Sequence, residues 1–284
     1  MAKLRLRNRA ARQKPQPRLS ATRGDHELEG RVAWVTGASG TLGAAIGEAL
    51  AAGGAIVGLS GRNPAPLETL AARLEATYDS PALVLPMNMA SRAQVDAAAA
   101  SLITQRQRID ILVNCVAVPI FGDFLQLADD DWEVVIQSKY LGYVRTLRAV
   151  LPQMVQQKFG RIVNISGRGA RQPMAAHLPG SSVNAAINLL TKGLADIYGK
   201  HNIRINAVLP GPIDSPRLSK VSTVNKVLDR EGRGGQAMAS AATPIPRLGK
   251  PREIADAVCY LVSERSSYVT GTLHAVDGGG TAAI

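Results

Sequence analysis

The sequence predicts an α/β protein, in which one domain is built on a seven-stranded, mostly parallel sheet with helices on both faces. Two features of the 284-residue chain lead to this prediction. Seven short apolar runs alternate with longer segments of helical periodicity. A glycine-rich turn joins the first of these runs to the first helical segment. Strands separated by helices pair in parallel, which gives a doubly wound sheet.

The predicted strands and helices follow one another in a regular order. Strands are predicted at residues 31–37, 55–61, 81–88, 109–118, 160–166, 203–211 and 273–279. Helices are predicted at residues 44–54, 66–78, 92–107, 129–157 and 180–195. Residues 213–250 interrupt this order and are expected to form a lid. Ligands of such a sheet bind at the carboxyl ends of its strands.

The net charge of +11 lies mostly at the N-terminus. Residues 1–24 carry no acid and eight cations, namely Lys3, Arg5, Arg7, Arg9, Arg12, Lys14, Arg18 and Arg23. This composition predicts a disordered basic tail over residues 1–27, followed by the folded domain over residues 28–284. The tail's alternatives are an organelle-targeting presequence or a segment that binds nucleic acid or an anionic surface. The rest of the chain is close to neutral, so we do not expect a nucleic-acid-binding domain.

Hydropathy and cysteine usage indicate a cytoplasmic protein. No apolar run approaches the ~18 residues that a membrane-spanning helix needs. Cys115 and Cys259 lie inside apolar stretches and show no paired spacing. They are predicted to be core thiols, so we expect neither a disulfide nor a metal site.

The glycine-rich turn predicts a dinucleotide site. In TGASGTLG, the glycines Gly37, Gly40 and Gly43 are spaced three residues apart between the first strand and the first helix. Such glycines allow a tight turn, close approach of the backbone to a pyrophosphate, and close packing of helix on strand. The helix N-terminus then offers N–H groups to the phosphates. A turn that serves packing alone is the alternative.

The end of the second strand favours NADP(H) over NAD(H). A fold that prefers NAD usually has an acidic residue here to bind the ribose 2′-hydroxyl. This chain instead has Arg62, whose guanidinium suits a 2′-phosphate. A surface arginine without a ligand is the alternative.

These stretches resemble the short-chain dehydrogenase/reductase family over residues 28–284, which implies a Rossmann fold. TGASGTLG is similar to the family's TGxxxGxG turn, although Thr41 stands at the middle glycine. DILVNCVAV is similar to the family strand DILVNNAG and keeps Asn114. IRINAVLPGPIDSP and the C-terminal stretch PRLGKPREIADAVCYLVSERSSYVTGTLHAVDGGG are similar to two further family segments. The resemblance implies cofactor contacts at Gly37, Ser39, Gly40, Thr41, Leu42, Gly43, Arg62, Asn88, Met89, Asn114, Pro210, Gly211, Ile213 and Ser215.

The family's catalytic residues are expected to be absent. Its members use a Tyr-x-x-x-Lys pair on one helix together with a Ser and an Asn. The alignment with the family needs no gap from Asn184 to IRIN in the sixth strand, and it puts Gly180 at the tyrosine position. By the same alignment, Asn184 stands at the lysine position, Gly167 at the serine position and Lys139 at the asparagine position. We therefore predict an atypical member without the Asn-Ser-Tyr-Lys tetrad.

Other side chains near these positions are candidate substitutes. His177 precedes the lost tyrosine by three residues, and imidazole exchanges protons near neutral pH. Lys139 could supply a charge or an acid, and Ser166 adjoins the lost serine. Ser181 and Arg171 are further polar residues expected at this end. Each has an alternative without chemistry: a loop histidine, an ion-paired lysine, and residues that cap strands and helices.

Three functions remain open at the level of sequence. The first is an NADP(H)-binding oxidoreductase with non-standard catalytic groups. The second is a non-catalytic subunit of an active relative or a nucleotide-sensing pseudoenzyme. The third is a lyase, cyclase or hydrolase on the same scaffold. Basic residues in the lid suggest an anionic substrate, such as a carboxylate or an acyl carrier, and a solvated mobile loop is the alternative. The family resemblance implies a dimer or tetramer, either a homo-oligomer or a hetero-oligomer with an active member.

Overall fold

The computed structural model describes residues 27–216 and 243–282, and its centre is a parallel seven-stranded sheet. The strands are β1 Val32–Thr36, β2 Ile56–Ser60, β3 Ala82–Val84, β4 Ile111–Asn114, β5 Gly160–Ile165, β6 Ile203–Pro210 and β7 Leu273–Val276. Their order across the sheet is β3-β2-β1-β4-β5-β6-β7, and every neighbouring pair is parallel. The predicted fold class is confirmed. The order reverses between β1 and β4, which is where such sheets bind ligands.

Seven α-helices of the described residues cover the two faces of the sheet. They are α1 Thr41–Ala52, α2 Pro64–Tyr78, α3 Arg92–Arg106, α4 Asp129–Val135, α5 Leu141–Gln157, α6 Leu178–Tyr198 and α7 Pro251–Val262. Two apolar clusters fill the interior. One packs α1, α2 and α7 on one face of the sheet, and the other packs α3, α5 and α6 on the opposite face. The inner strands β1, β4 and β5 are buried on both faces, which explains why they are continuous apolar runs.

The predicted elements differ from the structure in several places, and α7 was not among the predicted helices. The third strand is only three residues long, and the helix expected at 129–157 is divided by a π-helical turn at Ile136–Tyr140. Helix α6 begins at Leu178, two residues before the predicted start. The predicted basic tail lies outside the described residues up to residue 26, and so does the predicted lid from residue 217 to residue 242. Within the described ranges, no helix is both long and apolar enough to cross a membrane.

Candidate active site

A cleft of about 600 Å³ lies along the carboxyl edge of the sheet. It extends from the turn between β1 and α1, past the ends of β2, β4 and β5, to the start of α6 and the segment after β6. Volumes of this size hold small-molecule and cofactor ligands. The cleft therefore joins the predicted dinucleotide end to the predicted catalytic end.

The glycine turn has the geometry that a pyrophosphate requires. Gly37 has φ +68°, and a Cβ atom at this residue would lie 2.5 Å from the carbonyl oxygen of Cys115. A Cβ at Gly43 would lie 2.2 Å from the carbonyl oxygen of Gly37. Gly40 precedes α1 and provides no side-chain cap, so the first-turn N–H groups remain available to an anion. The residues present fit a dinucleotide.

Arg62 lies where a 2′-phosphate would be recognised. It is an exposed residue that lines the cleft just after the end of β2. Among the described residues that line the cleft, none is an aspartate or a glutamate. The local charge therefore favours a phosphate over a bare ribose hydroxyl.

Helix α5 is fixed to the ends of β4 and β5 by buried polar contacts. The Tyr143 hydroxyl donates to the carbonyl oxygen of Ile165 at 3.0 Å. The Thr146 hydroxyl donates to Asn114 Oδ1 at 2.8 Å, and Asn114 Nδ2 donates to Asn164 Oδ1 at 3.0 Å. Asn114 is fully buried in this network and does not line the cleft. In this structure its contacts join strands to helix.

The π-helical turn before α5 carries Lys139 into the floor of the cleft. Lys139 is only 6% exposed. Its ammonium donates to Asn184 Oδ1 at 2.6 Å and to the carbonyl oxygen of Ser166 at 3.2 Å. A buried ammonium is costly unless oxygen atoms replace its water, and these two oxygens do so. Single π-helical turns inside α-helices often lie at functional sites.

His177 fills the space next to Gly180. Its Nε2 atom lies 1.9 Å from where a Cβ on Gly180 would be. Its Nδ1 is 2.6 Å from the carbonyl oxygen of Ile120, and its ring lies 4.5 Å from that of Phe121. A carbonyl oxygen only accepts, so Nδ1 carries a proton and Nε2 is the nitrogen that gains or loses one. The ring is thus fixed in position and in tautomer.

Two uncharged polar groups reach the cleft beside these residues. The Ser166 hydroxyl is buried, and no residue of the described ranges forms a hydrogen bond with it. Asn184 Nδ2 lies 2.8 Å from where a Cβ on Gly167 would be. Because Asn184 Oδ1 accepts from Lys139, the amide is oriented and Nδ2 is its remaining donor. The position aligned with the family serine is therefore next to an amide N–H.

The thiol of Cys115, which also lines the cleft, is not a nucleophile in this setting. Burial raises its pKa to about 12, although the positive charge of Lys139 acts in the opposite direction. The thiol is therefore protonated at neutral pH. Burial likewise raises the pKa of Cys259 to about 12. Both cysteines are free; Cys115 is buried and Cys259 is half-buried. No cluster of metal ligands occurs among the residues that the structure describes.

The structure brings most of the predicted site residues into one cleft. Those that line it are Gly37, Ser39, Gly40, Thr41, Leu42, Gly43, Arg62, Asn88, Met89, Lys139, Ser166, Gly167, His177, Ser181, Asn184, Pro210, Gly211, Ile213 and Ser215. Three predicted residues do not line it. Asn114 lies below its floor, Gly180 is covered by His177, and Arg171 is exposed outside it.

Sequence reasoning missed Arg168. This residue begins a short 3₁₀ turn directly after Gly167, and it lines the catalytic end of the cleft. Its Nη1 donates to the carbonyl oxygen of Gly280 at 3.1 Å. Its place in the sequence could have revealed it, because it directly follows the serine position, where a strand ends at the ligand-binding edge of the sheet.

The sequence and the fold are similar to those of known proteins. Residues 37–281 match the family model described as Enoyl-(Acyl carrier protein) reductase. Nodulation protein G of Rhizobium meliloti (strain 1021) is 35% identical over 253 residues, or 89% of this chain and 98% of that protein. A 3-oxoacyl-[acyl-carrier-protein] reductase of Aquifex aeolicus (strain VF5) is 31% identical over 253 residues, with the same coverage of both chains.

A solved structure extends the match to the cofactor. The L-sorbose reductase of Gluconobacter frateurii, complexed with NADPH and L-sorbose, has a TM-score of 0.83 and 29% identity. It covers 92% of this chain and 100% of its own. The prediction of a nicotinamide cofactor, with NADP(H) favoured over NAD(H), is confirmed at the level of these relatives.

Proposed function

This chain belongs to the short-chain dehydrogenase/reductase family, and we propose that it is an NADP(H)-dependent oxidoreductase with rearranged catalytic groups. Its substrate is a small carbonyl compound, or the corresponding alcohol. The observation that carries the proposal is the His177 ring, whose Nε2 fills the space beside Gly180 at the cleft. An acid–base group thus occupies the place from which the family's tyrosine would extend.

His177 exchanges the proton of the substrate oxygen. In carbonyl reduction, the imidazolium form gives the proton on Nε2 to the oxygen as its negative charge develops. In alcohol oxidation, the neutral ring accepts that proton. The contact of Nδ1 with Ile120 supports this role, because it keeps the exchangeable proton on Nε2.

Lys139 and Asn184 supply the charge and the amide from exchanged positions. By the family alignment, an asparagine belongs at 139 and a lysine at 184, and here each position holds the other residue type. The two side chains are in direct contact at 2.6 Å. The exchange therefore keeps one ammonium and one amide in the same floor of the cleft. The ammonium favours negative charge on the nearby substrate oxygen.

Two donors replace the hydroxyl that is missing at Gly167. Asn184 Nδ2 lies beside that residue, and the Ser166 hydroxyl lacks a partner in the described part of the chain. A preorganised donor to a developing oxyanion is worth ~10²- to 10³-fold in rate. Asn184 and Ser166 therefore position the substrate oxygen for proton transfer.

The nucleotide end holds the cofactor. The turn from Gly37 to Gly43 and the first turn of α1 would hold its pyrophosphate, and Arg62 would hold its 2′-phosphate. Pro210, Gly211 and Ile213, which also line the cleft, would hold the nicotinamide end of the cofactor. When bound, NADPH supplies the hydride that reduces the carbonyl carbon.

Two measurements test this proposal. Calorimetric titration is expected to show NADPH binding more tightly than NADH. NADPH absorbance is then expected to fall with a member of a panel of small ketones, aldehydes and oxo acids, and the rate is expected to fall at least 10²-fold in His177→Gln. NADPH binding without turnover of any compound would favour the sensing or subunit function instead. Absence of binding would contradict the proposal.

The oligomeric state remains a prediction. An apolar groove between α5 and α6 is lined by Leu147, Leu151, Leu190 and Leu194. Leu189, on α6, has 78% of its surface exposed. These apolar residues support the expected oligomer, and sedimentation velocity would give its size.

A further inference from the structure

Among the residues that the structure describes, three cations line the cleft, and the proposed function uses only two of them. Arg62 serves the cofactor end, and Lys139 is hydrogen-bonded in the floor. Arg168 lies at the catalytic end and has no role in the proton transfer. None of the described cleft-lining residues is acidic, so this end carries positive charge toward the ligand.

The guanidinium of Arg168 is held by backbone, and it makes no ion pair with a carboxylate in residues 27–216 or 243–282. Nη1 donates to the carbonyl oxygen of Gly280, and a Cβ at Gly280 would lie 2.6 Å from that nitrogen. The carboxylate of Asp277, in the same C-terminal segment, accepts from the N–H groups of Gly279 and Thr281. A guanidinium has five N–H donors, so Arg168 retains donors for an anion.

A second observation points to a ligand in the same place. The Ser166 hydroxyl lies two residues before Arg168 and lines the same end of the cleft. Its residue is 6% exposed, and its hydroxyl has no hydrogen-bond partner in the described part of the chain. Buried hydroxyls normally have partners, so a polar ligand atom is expected here.

We propose that Arg168 binds the carboxylate of the substrate, which makes the substrate class small oxo acids and the corresponding hydroxy acids. The inference rests on the proposed function for the redox step. The planar guanidinium pairs with both oxygens of a carboxylate, and the Ser166 hydroxyl donates to the reacting oxygen of the substrate, which neighbours that carboxylate. His177 then exchanges the proton of the reacting oxygen. Arg168 thereby sets specificity and orientation.

The test compares oxo acids with their methyl esters, which lack the charge. Wild-type protein is expected to reduce an acid with kcat/KM about 10- to 100-fold above its ester. Arg168→Met is expected to lose that preference while retaining activity on the ester, and Arg168→Lys to recover part of it. NADPH affinity is expected to stay unchanged in both variants. The matched control is Arg171→Met, which removes an exposed arginine outside the cleft.

Binding of oxamate, an unreactive analogue of a 2-oxo acid, separates the two proposals. Wild-type protein with NADPH is expected to bind oxamate about 10-fold or more tightly than Arg168→Met does. Equal use of acid and ester, or equal binding of oxamate by both proteins, would overturn the carboxylate site and leave the redox function intact. Oxamate binding that depends on Arg168 without turnover of any carbonyl would overturn the proposed function alone.

Discussion

Adding one methyl group at Gly180 is expected to displace the ring of His177. In Gly180→Ala, the new Cβ would lie 1.9 Å from Nε2 and 2.3 Å from Cε1. Ordinary contact needs ~3.5 Å, so Nε2 has to move by about 1.6 Å. Misplacement of a reacting group by ~1 Å lowers the rate about 10²-fold. We therefore expect a loss of about 10²-fold in kcat with little change in NADPH affinity.

The same substitution is expected to change stability in a direction that helix propensity does not predict. Replacing glycine by alanine in a helix usually stabilises it by up to ~1 kcal/mol. The clash with His177 opposes this gain by ~1–3 kcal/mol. The net result is a free energy of unfolding lowered by about 0 to 3 kcal/mol. Urea unfolding followed by circular dichroism measures it.

Gly193→Ala is the matched control on the same helix. A Cβ at Gly193 meets nothing within 4 Å. This variant is expected to gain ~0.5–1 kcal/mol and to retain full activity. In a His177→Ala background, Gly180→Ala is expected to have no further effect on activity, because the clash is gone. Full activity with raised stability in Gly180→Ala alone would refute the placement of His177.

Three other predictions test the remaining parts of the site. The double variant Lys139→Asn/Asn184→Lys exchanges the two residues, and its kcat at saturating NADPH is expected to be about 10-fold or more above that of Asn184→Lys alone. The single variant is less active because it brings two ammonium groups together. Arg62→Ala is expected to weaken NADPH binding ~10- to 100-fold and leave NADH unaffected in calorimetry. Cys115 and Cys259 are expected to resist alkylation by iodoacetamide at pH 8 in the folded protein and to react after unfolding, because burial raises both pKa values to about 12. Equal kcat values in the double and the single variant would contradict the first of these predictions. An equal loss of NADPH and NADH affinity in Arg62→Ala would contradict the second, and rapid alkylation of the folded protein would contradict the third.

The sequence predicted the sheet because its inner strands are continuous apolar runs buried on both faces. It also predicted the glycine turn. The structure shows why glycines are needed there, because a Cβ at Gly37 or Gly43 would clash with a backbone carbonyl oxygen. The end of the third strand was harder. The assigned strand ends at Val84, although the N–H groups of Leu85 and Met87 still donate to the carbonyl oxygens of Leu59 and Gly61.

The candidate catalytic groups could be named from sequence, but their arrangement could not. His177 was a candidate because it lies three residues before Gly180. That its ring fills the space beside that glycine depends on its contacts with Ile120 and Phe121, which are far away in the chain. The contact of Lys139 with Asn184 likewise depends on the π-helical turn, which helical periodicity does not reveal. Asn114 was predicted at the cofactor, but the network that buries it joins four elements.

The pH dependence of carbonyl reduction tests the central claim most directly. If His177 is the proton donor, kcat/KM for reduction falls with rising pH as the imidazolium loses its proton. In His177→Gln the rate is expected to be at least 10²-fold lower and to lack this decline. A variant with undiminished reduction and the wild-type pH profile would contradict the account.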